Sequence, residues 1–222
     1  MIALCSRKLK SQLSHFESAA DNFIANIDFL RETGKSDVVE VRKVCRCYSV
    51  DMISKYIFAV DVDSFKQDQA NSEFANLALR VGDLNVLQIL LLNFVPQFLW
   101  GLLNIFDIEP LEKLGDLFKR MVRERDPSLR YNDLTELLQD QIKAGKLTGM
   151  SEDDVIGNSI MCFFAGTDTT SNALIKVFYY LTAEQEVRER LQQELRREFK
   201  DGISYEALME HQVREKIRSN ER

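Results

Sequence analysis

The sequence predicts an all-α fold, and three observations carry that prediction. Apolar residues recur at three- and four-residue steps through most of the chain, the period of a helix. Only three prolines occur, at Pro96, Pro110 and Pro127, so nothing after Pro127 forbids helix. Glycine is sparse as well, with 9 in 222 residues, so few positions invite a chain reversal. A 45% hydrophobic and 29% charged composition is an ordinary globular ratio and argues against disorder along the whole chain. With 29 basic against 35 acidic side chains the net charge is −6, which repels phosphate backbones, so nucleic acid is not an expected partner. The cysteines, Cys5, Cys45, Cys47 and Cys162, and the histidines, His15 and His211, lack the paired spacing of a zinc site, so no metal ligands are predicted from them. The opening MIALCSRKLKSQ has no apolar core of signal-peptide length.

Residues 7–33 read as an amphipathic helix, with Leu9, Leu13, Phe16, Ala20, Phe23, Ile27 and Leu30 on one face and Gly34 as its stop. From Val38 to Phe58 the pattern through Val41, Val44, Cys45, Tyr48, Met52 and Tyr56 includes β-branched residues, yet about 20 residues is long for a strand and helix is favoured. The AVDVDSF segment is a break, after which Asn71 to Asp83 starts another helix. Leu84 to Phe106 holds no charged residue, but Asn85, Gln88, Asn93, Pro96, Gln97 and Gly101 interrupt it, which argues against a membrane span. Around Trp100, Phe94, Phe98 and Phe106 it has the composition of a segment lying at a lipid headgroup boundary, with an apolar hairpin buried in the core as the alternative.

Pro110 is placed as a first-turn proline for a helix with Leu111, Leu114, Leu117, Phe118, Met121 and Val122 in one stripe, closed by Pro127. Asp133 to Ala144 forms a short helix stopped by Gly145. Ser151, with Asp154 three positions on, starts a long helix running to about Thr182. Glu184 to Lys200 then forms a surface helix, with Val187, Leu191, Leu195 and Phe199 at four-residue steps and Glu184/Arg188 and Glu186/Arg190 as exposed pairs.

The chemically informative stretch is Met161 to Ser171, in the middle of the long helix. Gly166, Thr167, Asp168, Thr169, Thr170 and Ser171 are all poor helix formers, costing about 0.5–1 kcal/mol each against alanine. Small residues let another surface approach the backbone, and hydroxyls beside a carboxylate can hold water and deliver protons to a buried centre. A second reading of the same residues is a tight helix crossing whose hydroxyls bond back to the i−4 carbonyls. Under either reading Asp168 is expected to be buried and to need partners.

Ala165-Gly166-Thr167-Asp168-Thr169-Thr170 resembles the Ala-Gly-x-Asp/Glu-Thr-Thr signature of cytochrome P-450 haem-thiolate monooxygenases. The resemblance continues in chain order. Asp51-Met-Ile, Val62-Asp-Ser64 and Asn71-Ser-Glu-Phe74 look like that family's helix E to helix F region. Phe94-Val-Pro-Gln-Phe98 looks like its F to G connection, Asn132-Asp-Leu134 with Leu137-Leu138 like the start of helix H, and Glu184 to Glu198 like helix J. The similarity is strongest to the branch that holds the vertebrate family-three and insect detoxification enzymes. It implies helices D to J around a long central helix I, one partial domain over residues 1–210 and a divergent charged tail over 211–222.

The resemblance also implies haem as cofactor, an NADPH-dependent reductase as electron source, an apolar small-molecule substrate and the cytoplasmic face of the endoplasmic reticulum membrane, touched through Leu84 to Phe106. Thr169 and Asp168 would be the catalytic pair that holds water and relays protons. Ala165 and Gly166 would lie against the haem, and Met161 and Phe164 would wall the substrate pocket. The chain departs from the family where iron is held, because no Phe-x-x-Gly-x-x-x-Cys-x-Gly loop follows the long helix. The Glu-x-x-Arg spacings at Glu194/Arg197 and Glu215/Arg218 lack the family's following sequence, and the N-terminal anchor and Trp-x-x-x-Arg pair are missing. The expectation is therefore a truncated central portion of a monooxygenase, inactive alone. The alternative is a non-catalytic helical lipid- or membrane-binding scaffold.

Overall fold

Six helices are delimited in the computed structural model, which describes residues 6–32, 39–65, 74–78, 80, 109–200 and 202–209. They are α1 (Ser6–Glu32), α2 (Val41–Phe58), α3 (Glu109–Arg123), α4 (Leu134–Lys143), α5 (Glu152–Ala183) and α6 (Gln185–Glu198), with further helical residues at 74–78, 80 and 205–209. No strand occurs among the described residues. The uncharged stretch from Leu84 to Phe106 lies outside them. No helix among them is long and apolar enough to cross a membrane. Two units separate by contacts: His15–Asn172, and the residues up to Ser14 together with those from Ala173 onward.

Local chemistry explains most of the boundaries. The β-branched run at the start of the second helix does not become a strand, and α2 ends on Ala59 in the left-handed region (φ 56°), whose N–H reaches back to the Lys55 carbonyl. Asp133 caps α4 by accepting from the Glu136 N–H at 2.8 Å, while the Glu136 carboxylate accepts the Asn132 N–H at 2.7 Å. The far end of α4 is a Schellman turn: Gly145 has φ +68°, its N–H meets the Ile142 carbonyl, and that of Lys146 meets Gln141. Ser151 and Asp154 form the reciprocal cap expected of them, with Ser151 N–H donating to Asp154 Oδ2 at 2.7 Å and Asp154 N–H to Ser151 Oγ at 3.2 Å. Pro110 sits in the first turn of α3, where a missing N–H costs nothing.

Within the unit His15–Asn172 the core is aromatic. Phe58 of α2 stacks on Phe118 of α3 at 4.5 Å, and Phe74 and Phe163 of α5 meet Phe118 edge-on at 5.5 and 5.0 Å. The stripe Leu114, Phe118 and Val122 is fully buried, as the periodicity of α3 requires. Phe23 of α1 lies edge-on to Tyr48 of α2 at 5.7 Å.

Polar contacts fasten the same helices at the end of α2. The last carbonyls of a helix have no partner inside it. Here Thr135 Oγ1 donates to the Ile57 carbonyl at 2.8 Å, and Arg125 Nη2 donates to that of Phe58 at 3.0 Å. Arg125 also forks onto Asp133, with Nη1 donating to Oδ1 at 3.1 Å and Nη2 to Oδ2, and its guanidinium covers the Tyr131 ring. Their side chains are only 10% and 1% exposed. Thr135 Oγ1 is 3.1 Å from Ser159 Oγ, which extends the buried polar contact to α5.

As expected of a surface helix, α6 buries no residue, and its stripe residues Val187, Leu191 and Leu195 are 52%, 37% and 45% exposed. The surface helix and its Glu186–Arg190 pair are present, but an apolar period gives only the side that can be buried.

Two substitutions test this packing. Arg125→Ala leaves the Asp133 carboxylate buried without its cation and should cost about 3 kcal/mol or more in urea unfolding followed by circular dichroism. Adding Asp133→Asn should restore part of that loss, since Asn still caps α4. A Cβ on Gly166 would lie 2.8 Å from Ile53 Cδ1, which opposes the helix propensity gained. Gly166→Ala should therefore be more favourable by about 1 kcal/mol or more in an Ile53→Val background than in the natural chain, and equal effects in the two would refute the crossing.

Candidate functional site

Helix α5 runs unbroken through the run of small and hydroxylated residues. Its packed side passes through Ile156, Ser159, Phe163 and Ser171, spaced three, four and eight positions apart as a helix face requires. At 100° per residue the opposite side carries Met161 and Ala165, with Asp168 and Thr169 at its shoulders. All four are exposed, Met161 to 68%. The expectation that Asp168 is buried is thereby corrected: it is exposed, at the edge between the packed and the open sides of α5.

The hydroxyls largely turn back on their own helix. Thr169 Oγ1 donates to the Ala165 carbonyl at 2.6 Å, and Ser171 Oγ donates to that of Asp168 at 3.0 Å. Gly166 marks a close crossing, since the place of its missing side chain is filled by Ile53 of α2. Both features of the helix-crossing reading are thus present. Phe164 is half-buried beside Phe163, with ring centres 5.5 Å apart.

A small cleft, large enough for about one water molecule and partly open to solvent, adjoins the segment between α2 and α5. Arg46, Val50 and Ala78 line it from one side and Phe164, Thr167 and Asp168 from the other. Thr167 Oγ1 is buried there with no hydrogen-bond partner. Arg46 and Ile53 were not singled out from sequence, and only the inclusion of Ile53 in the Asp51-Met-Ile match pointed toward α2.

The cysteines divide by helix. Cys45 and Cys47 are buried on α2, where burial raises both thiols, that of Cys47 to about 11. Cys162 is exposed on α5, next to Met161. Among the described residues no three of His, Cys, Asp and Glu converge on a metal-sized site.

The family model for cytochrome P-450 matches residues 1–215. Among curated relatives, a probable cytochrome P-450 6d5 of Drosophila melanogaster is 27% identical over 86% of this chain and 41% of its own length. Cytochrome P-450 3A25 of Mus musculus is 27% identical over 92% of this chain and 42% of its own, and cytochrome P-450 6d3 of Musca domestica 26% over 92% and 45%. The chain thus spans about two-fifths of the length of the relatives it matches. A helical frame whose long helix carries the signature hexapeptide at a crossing with α2, matched from residue 1 to 215, makes the chain a member of the cytochrome P-450 family.

Proposed function

We propose that this span forms the dioxygen-facing half of a monooxygenase that inserts one oxygen atom into apolar substrates. The observation that carries the reading is the open side of α5, where Met161, Ala165 and Thr169 lie across the helix from the Phe163 core. Such a lane, apolar and small with one hydroxyl and the Asp168 carboxylate beside it, suits one face of a flat macrocycle. Ala165 supplies the close approach, Met161 and the half-buried Phe164 wall the substrate side, and Gly166 keeps the helix against Ile53. Thr169 Oγ1 holds its proton on the Ala165 carbonyl and must leave that bond to donate elsewhere. Asp168, next in the chain, is the acid that would return the proton.

The cofactor of this family is haem, and its iron is held by a cysteine thiolate. The cysteines among the described residues do not fit that task. Cys45 and Cys47 are buried in α2 as neutral thiols, and Cys162 belongs to the same helix as the lane, so it cannot reach iron from the opposite face. No step of oxygen activation is therefore assigned to residues 1–222 alone, and we read them as inactive by themselves: a partial domain over 1–210 with a divergent charged tail. In the full arrangement electrons come from an NADPH-dependent reductase at the cytoplasmic face of the endoplasmic reticulum, with Leu84 to Phe106 touching the membrane surface.

Two experiments test the reading. Residues 1–222 mixed with haem, reduced and exposed to carbon monoxide should give no thiolate-type Soret band, and such a band would overturn the inactivity. Grafting residues 152–183 in place of the matching helix of the mouse relative should preserve turnover. Thr169→Ala in that graft should then lower product formed per NADPH by roughly tenfold or more, whereas unchanged coupling would remove Thr169 from the mechanism.

A further inference from the structure

Asp51 is a buried acid that the proposed chemistry does not use. It sits on α2, two residues before the Ile53 that meets Gly166, and it is 9% exposed. Its Oδ1 accepts two bonds from one residue of the connection after α2, the Ser64 N–H at 2.8 Å and the Ser64 hydroxyl. Its Oδ2 has no partner, and neither does the buried hydroxyl of Ser54 one turn further along the same face. A carboxylate oxygen buried without a donor disfavours the charged form, against the two Ser64 bonds that favour it.

The connection itself is under tension. It leaves α2 through Ala59 at φ 56° and passes Asp63 at φ 49°, two non-glycine residues in the left-handed region. Lys55 pairs with Asp61 on its exposed side. It leads toward 74–78, where Phe74 joins the aromatic core and Ala78 lines the cavity beside Thr167 and Asp168.

We propose that Asp51 is a proton-operated latch on the connection 59–65: neutral Asp51 seats Ser64 on α2, and its ionisation releases the connection to water.

The electrostatics agree in direction. Burial, with Asp63 and Asp61 adding to it, pushes the Asp51 carboxyl up to about 6, against the two Ser64 bonds that favour the charged form. Two other ionisable groups near this cluster are shifted from their ordinary values. Cys47, one turn before Asp51, is raised to about 11 and stays neutral. His15 of α1 feels the charges of Lys55 and Asp61, and burial followed by the Lys55 cation holds its imidazole below the usual value, so Asp51→Asn is the variant that tells Asp51 from His15. Because the folded pKa exceeds the unfolded one, the latch is fully closed below about pH 4 and is lost as pH rises through about 6.

Amide hydrogen exchange at Ser64 in the full chain reads the opening directly. After correction for intrinsic exchange, the opening constant should rise by up to about 100-fold between pH 4 and 7.5, the two units separating the folded from the ordinary carboxyl. Asp51→Asn, neutral at every pH, should keep Ser64 protected throughout. Ser64→Ala removes the hydroxyl bond and keeps the N–H bond, so amide 64 should exchange faster than in the natural chain while keeping its pH response, and this variant serves if the Asn variant does not fold. A pH-independent Ser64 in the natural chain, or a pH response retained in Asp51→Asn, would sink the latch. None of these readouts depends on haem, so failure of the latch and failure of the monooxygenase reading are distinguishable.

Discussion

The C-terminal end of α2 is the constraint on which the rest of the unit His15–Asn172 depends. A helix that ends in a protein interior leaves carbonyls that water cannot reach. Here they are answered from elsewhere in the chain, Ile57 by Thr135 and Phe58 by Arg125. Each donor is committed a second time, Arg125 to Asp133 and Thr135 to the neighbourhood of Ser159. The end of α2, the start of α4 and the packed side of α5 are therefore fixed together by directional bonds, while the rings of Phe58, Phe118 and Phe163 fill the space beside them. Apolar packing alone would tolerate small slips between the helices. The forked guanidinium does not.

That fixation orients α5. Once Phe163 is seated in the core, helix geometry leaves no freedom for Met161, Ala165 and Asp168, which must face the other way. Gly166 falls on the side toward α2, where Ile53 occupies the place of a side chain. The hexapeptide therefore serves two surfaces at once. Its glycine belongs to the crossing with α2, and its alanine, acid and second threonine belong to the open lane.

Much of the frame was legible because its signals are local. The caps at Asp133 and Ser151, the stop at Gly145 and the first-turn Pro110 are each decided by chemistry within a few residues, and they stand where the sequence places them. What was not legible depended on distant partners. The exposure of Asp168 is one such case, because the direction in which α5 turns that residue is set by where Phe163 packs. The Arg125–Asp133 fork joins residues whose separate roles, near the end of one helix and the cap of the next, gave no hint of a shared bond to the Phe58 carbonyl.

The bond from Thr169 to the Ala165 carbonyl bears on how the two readings of this segment relate. A threonine bonded back to its own helix is the ordinary way to quiet a hydroxyl among apolar neighbours, and it needs no catalytic explanation. Yet the same carbonyl already serves the backbone, so the second bond it accepts is the more expendable. A hydroxyl parked there keeps its proton, sits at the edge of an open lane and is released by rotation about a single side-chain torsion. The helix crossing and the relay proposed for Thr169 thus do not exclude each other: the crossing at Gly166 holds the backbone, and the proposed relay asks only that the Thr169 hydroxyl turn.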